Sequence, residues 1–182
     1  MIDDKTSPEF IEIIKHILKL EGGYVCDPAD RGGETNFGVS RRFANSVGMT
    51  ELDIKNMTEY QAQKIYYNYF WKPIKGDSII ESGGKWVAAY VLDMHINSGK
   101  GVLILQKALN KFLSNKLVED NLIGNKTLNA LASVKDTQNL KCKLIESRID
   151  YYIEITKRRP KNLKFLQGWT NRSFHWLSVG LS

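Results

Sequence analysis

Apolar side chains return every three or four positions early in the chain, at Phe10, Ile13, Ile14, Ile17 and Leu18, with charged residues between them. That period belongs to one face of an α-helix. Ser7 is placed to cap the helix, Pro8 suits its first turn, and Glu9 and Glu12 favour its positive N-terminal end. Gly22 and Gly23 stop it. Glu21, three residues past Leu18, continues the apolar stripe and so leaves a carboxylate at the end of a core-facing row. From residue 22 to 40 the period is lost. Gly, Asp, Pro and Asn dominate this stretch, which predicts a loop or an irregular hairpin.

Further along, residues 40–48 predict a short helix ending at Gly48. Thr58 with Gln61 forms a capping pair that opens a helix running to about Trp71, closed by Pro73. Trp86 to Ile96 reads as a largely buried helix with Val87, Tyr90, Val91 and Met94 on one face, ended by Asn97, Ser98 and Gly99. Val102 to Leu113 predicts an amphipathic helix, and Thr127 to Ala132 a short one. A long helix follows from about Thr137 to Arg159, through Leu140, Leu144, Tyr151, Tyr152 and Ile155, until Pro160 interrupts it. Phe165 to Leu177 predicts a last helix carrying Trp169, Phe174 and Trp176. The expected fold is mainly α, with a small irregular or β-hairpin region after the first helix.

The 182 residues suffice for a substantial core. Their net charge of +6 is uneven: residues 1–99 hold 11 basic and 14 acidic side chains, residues 100–182 hold 15 and 6. A basic half attracts polyanions. RNA-recognition, zinc-finger and basic-zipper signatures are lacking, which ranks nucleic acid below an anionic wall or membrane surface. Cys26 and Cys142, far apart, indicate no disulfide framework. The first residues lack a signal peptide's pattern, and no 18-residue apolar run predicts a membrane span.

The chemistry centres on Glu21. A carboxylate at the negative end of a helix, partly withdrawn from water, is disfavoured as an anion by the helix dipole and by desolvation. It then keeps a proton for a poor leaving group such as a glycosidic oxygen. An exposed carboxylate in a frayed last turn has the same spacing, and periodicity leaves both readings open. Asp27, Asp30, Glu34, Thr35 and Asn36 follow within fifteen positions, so a second carboxylate and a water-positioning hydroxyl are available, although Asp27 and Asp30 also suit turns. Other chemistries fit less well. His16, His95 and His175 are scattered, the loop acids do not follow the EF-hand order, and neither a serine-hydrolase elbow nor a phosphate-binding loop occurs.

Glu21-Gly22-Gly23-Tyr24-Val25, Asp27-Pro28-Ala29-Asp30 and Gly32-Gly33-Glu34-Thr35-Asn36-Phe37-Gly38-Val39-Ser40 together resemble the signature of glycoside hydrolase family 108, lysozyme-like N-acetylmuramidases that include phage endolysins. Asp93-Met94 and Asn97-Ser98-Gly99 extend the likeness. Leu105 to Leu109, Ile123-Gly124 with Thr127, and Gly168-Trp169 with Asn171-Arg172 resemble the family's C-terminal peptidoglycan-binding region. The resemblance implies a lysozyme-like helical fold, with a catalytic region over residues 7–97 and a helical binding region over 98–182 packed against it.

It further implies cleavage of the β-1,4 bond between N-acetylmuramic acid and N-acetylglucosamine, with Glu21 as general acid. Asp30 matches the second acidic position, a role Glu34 shares or takes over, and Thr35 is the water-positioning hydroxyl by similarity to phage-type lysozymes. Tyr24, Glu34, Asn36 and Asn97 are the candidate substrate contacts. Arg31 and His95 depart from the family pattern, and His95 is read as a core or groove residue. Cys26 is read as a buried, inert thiol, and Trp169 as a packing residue. The expected partner is the peptidoglycan glycan strand. No metal, cofactor or nucleic acid is implied, and the protein is expected to be monomeric. Synthesis in the cytoplasm, followed by release through a holin or secretion system, would bring it to the wall or periplasm. A non-catalytic peptidoglycan-binding protein that assists secretion is the rival reading.

Overall fold

The computed structural model describes residues 6–26 and 33–181. Within them the chain is mainly helical, with one two-stranded antiparallel hairpin. It divides after Trp71 into two compact units.

In the first unit, α1 spans Pro8–Glu21 and β1 and β2 span Thr35–Asn36 and Val39–Ser40. Two further helices follow, α2 over Arg41–Ser46 and α3 over Glu59–Tyr66. Helix α1 forms as its pattern requires: the Ser7 hydroxyl accepts from the Phe10 amide, and all five stripe residues are buried. Thr58 and Gln61 close a full capping box at the start of α3. The helix expected to reach Trp71 does so, but its last turn, Tyr67–Trp71, is π-helical. Phe10 then meets Tyr67 and Trp71 with ring centroids 5.1 and 5.3 Å apart. This aromatic junction anchors the start of α1 to the end of α3.

The second unit contains α4 (Gly76–Gly83), α5 (Lys85–Ser98), α6 (Gly101–Asn110), α7 (Asn125–Ala132), α8 (Thr137–Arg158) and α9 (Leu163–His175). Helix α4 is an addition to the elements read from sequence, since its eight residues show no apolar stripe; Ile79, fully buried, is what holds it in place. Helix α5 ends as read, with Asn97 and Ser98 in its last turn, their side chains bonded back to the Asp93 and Met94 carbonyls at 2.7 Å, and Gly99 as its left-handed cap at φ 68°. Helix α6 stops at Asn110, short of Leu113, and α9 begins two residues before Phe165. Pro160 opens a 3₁₀ turn.

Helices α5 and α6 approach so closely that a Cβ on Gly101 would lie 2.2 Å from the Val91 carbonyl oxygen. Asp93 forms a buried hub. Its carboxylate pairs with Arg148 of α8 at 2.8 Å and with Arg172 of α9 at 2.7 Å. Burial opposes the Arg148 charge, yet Asp93 and the flanking Tyr152 and Tyr90 hold its pKa above the usual value. Its guanidinium lies over the Tyr90 and Tyr152 rings. Trp169, half-buried, stacks on Tyr152 with centroids 5.1 Å apart. No helix among the described residues is long and apolar enough to cross a membrane.

Candidate active site

Glu21 is the last residue of α1 and is partly exposed. The hairpin turn determines what stands beside it. Phe37 and Gly38, the two residues between β1 and β2, both have positive φ, 48° and 75°, as the tight primed hairpin turns require. Position 38 is constrained a second time by space. A Cβ there would lie 2.5 Å from the Tyr66 hydroxyl and 2.9 Å from both Cγ and Oε2 of Glu21. The bare glycine is what lets the acid and the tyrosine converge on one face of the turn. Tyr66, almost fully buried, donates its hydroxyl proton to the Phe37 carbonyl at 2.9 Å. Helix α1, the turn and α3 thus all meet at the Glu21 carboxyl.

Sequence reasoning passed over Tyr66 and the packing role of Gly38. Gly38 stood in the motif running from Gly32 to Ser40, whereas nothing local ties Tyr66, 45 positions beyond Glu21, to the site.

The remaining candidates are distributed unevenly. Strand alternation places Thr35 and its partner Ser40 on the face opposite buried Asn36 and Val39. The Asn36 amide nitrogen is committed to structure, donating to the Ile54 and Lys55 carbonyls at 3.0 and 3.2 Å. Glu34 is held from two sides: Arg41 donates through Nε and Nη2 to Oε1 at 3.1 and 2.7 Å, and the Tyr24 hydroxyl donates to Oε2 at 3.2 Å. Desolvation first, then the neighbouring Cys26 and Glu34, push the Tyr24 hydroxyl up to about 12, so it remains a donor near neutrality. A pair of backbone bonds between Val25 and Thr35, each 2.8 Å, ties the segment after α1 to the hairpin. Asp30 and Asp27 lie outside the described residues. Asn97 belongs to the second unit, exposed on α5.

Cys26 is exposed, as is Cys142, which corrects the expectation of a buried thiol. The residue directly follows the Val25 bridge to Thr35. His95 is half-buried, and burial followed by the charge of Lys100 holds its pKa below the usual histidine value.

In the same unit, a cavity of about 540 Å³ is bordered by Lys15, Leu18 and Lys19 of α1, by Gly22 and Gly23, and by Phe37 and Glu59; Glu21 itself is not among its lining residues. Its size is that of a small-ligand pocket. It provides cationic, apolar and acidic groups within one unit.

A family model described as "Glycosyl hydrolase 108" matches residues 14–99, and one described as "Predicted Peptidoglycan domain" matches residues 100–174. The chain is similar to a solved structure titled "Structure of Brucella abortus SagA", with 28% identity and a TM-score of 0.72, covering 92% of this chain and 90% of that one. No curated protein matched.

Proposed function

Through residues 14–99 the chain belongs to the glycosyl hydrolase 108 family, with a predicted peptidoglycan domain after them, and from that membership we propose that it is an N-acetylmuramidase. At the coarser level it is a glycoside hydrolase acting on peptidoglycan. The finer reading is cleavage of the β-1,4 bond between N-acetylmuramic acid and N-acetylglucosamine, with Glu21 donating a proton to the leaving oxygen.

The observation that carries it is the convergence of Glu21 and Tyr66 on the bare Gly38 turn. The Tyr66 hydroxyl donates to the Phe37 carbonyl and stands with the Glu21 carboxyl against the same glycine. Asp30 is assigned the second carboxylate, drawing a proton from the attacking water, and Thr35 the placing of that water. Inversion follows if Asp30 only activates water, whereas a carboxyl separation of about 5 Å would mean retention. Glu34, tied by Arg41 and Tyr24, braces the hairpin edge. The natural place of action on this reading is the wall or periplasm, reached through a holin or secretion system.

A turbidity assay on purified cell walls tests the proposal. Wild type is expected to clear the suspension and release muramic acid reducing ends, and Glu21→Gln to lose on the order of 1,000-fold or more in rate while still sedimenting with walls. Wall binding without clearing by wild type would instead support the non-catalytic reading. Release of N-acetylglucosamine reducing ends would refute the bond assignment.

A further inference from the structure

A second cavity of about 540 Å³ lies wholly within the second unit, between α7 and the loop that precedes it. The loop is braced from beneath. Gln106, buried, donates to Asp120 at 2.8 Å and to the Leu122 carbonyl at 3.1 Å, and accepts from the Asn121 amide at 2.9 Å. Asn121, at φ 64°, accepts from the Leu103 amide at 2.9 Å and donates to the Gly99 carbonyl at 2.8 Å. This bracing nevertheless holds two apolar side chains in solvent, Val118 at 76% and Leu122 at 69% exposure. Both line the cavity, alongside Leu117 and Ile123.

The other wall is polar. Gly124 precedes α7 and no side chain caps it, so the amides of its first turn have no side-chain acceptor. Thr127 stands in that turn and lines the cavity. It is 96% buried, at 4% exposure, and its hydroxyl makes no hydrogen bond to any described residue. Lys126 and Lys75 add two ammonium groups. Asp120 supplies one carboxylate, held below the usual range by its bonds from Gln106 and the Leu122 amide. None of the lining residues is aromatic, so the cavity lacks the flat faces on which sugar rings stack.

We infer that this cavity binds the carboxylate end of a peptidoglycan stem peptide. The terminal carboxylate sits at the start of α7 against the Thr127 hydroxyl and Lys126. The small aliphatic side chains of the peptide lie on Val118 and Leu122, and an amine of its diamino residue faces Asp120. The inference rests on the peptidoglycan reading above but needs neither Glu21 nor catalysis.

Calorimetric titration of the full chain tests it with three probes: the synthetic peptide L-alanyl-γ-D-glutamyl-L-lysyl-D-alanine, its C-terminal amide, and chitotetraose. The free acid is expected to bind, and the amide to bind about ten-fold more weakly through loss of a charge-assisted contact. Thr127→Val and Lys126→Ala are expected to weaken the acid several-fold, with little effect on the amide, and Thr127→Ser to restore it; circular dichroism confirms folding. Equal binding of acid and amide, no peptide binding, an unchanged folded Thr127→Val, or displacement of peptide by chitotetraose would each overturn the inference. Failure of wall clearing with carboxylate-dependent peptide binding intact would remove only the muramidase reading. Clearing without that binding would remove only this one.

Discussion

A methyl group at position 38 would collide with both the Tyr66 hydroxyl and the Glu21 carboxyl, and it would have to be carried on a backbone with φ of 75°. Gly38→Ala is therefore expected to cost about 1–2 kcal/mol from the left-handed backbone before any clash is counted. Displacing Glu21 by an ångström adds a loss on the order of 100-fold in wall clearing, beyond what the melting shift explains. Thermal melts run beside clearing rates check this, and a variant with wild-type activity would show that the convergence is not used. Asp93 makes a different kind of demand, since its removal strands Arg148 without a countercharge in the interior. Asp93→Ala is expected to destabilise the second unit by about 3–5 kcal/mol, read by urea unfolding. Asp93-Met94 and Asn171-Arg172 both stood out in the chain, but nothing in it paired Asp93 with Arg172, 79 positions away, or pointed to Arg148, 55 positions away.

Helices α6 and α8 are joined at the surface by Lys111, whose ammonium lies 2.8 Å from Glu146, with Lys143 at 2.9 Å on the other side. Lys111 first and Lys143 second bring the Glu146 pKa down to about 2. A carboxyl lowered on folding contributes stability above its ordinary range, and that contribution is lost as the pH falls towards about 2. Glu146→Gln is therefore expected to flatten the acid limb of the stability curve, as followed by circular dichroism. Legibility among the elements follows from how each is stabilised. Helix α1 carries its own cap and an unbroken stripe, so its bounds could be read directly. Helix α4 has two adjacent isoleucines and glycines at its ends, and its helicity comes from the burial of Ile79. The early stop of α6 has a similar origin, because Asn110 turns its side chain to the loop, accepting from the Leu117 amide at 2.7 Å and donating to its carbonyl at 3.1 Å.

Charge acts over the longest range. Residues 100–182 hold 15 basic against 6 acidic side chains, and Lys157, Arg158, Arg159, Lys161 and Lys164 are all exposed around the end of α8. Retention on anionic walls is expected to fall several-fold as salt rises from about 0.05 to 0.5 M, with turnover of soluble glycan much less affected, because screening shortens to a few ångströms. Sedimentation with walls across that range checks it, and salt-independent retention would assign binding to uncharged contacts. Periodicity, caps and the Glu21–Ser40 motif were enough to establish the helical class, the first helix and its terminal acid, because each is local or repeats along the chain. The Tyr66 hydroxyl beside Glu21, the commitment of Asn36 to the Ile54 and Lys55 carbonyls, and the Arg148–Asp93–Arg172 hub came only with folding. Each joins groups 18 or more positions apart through a shape that packing creates, and no local pattern encodes such a meeting.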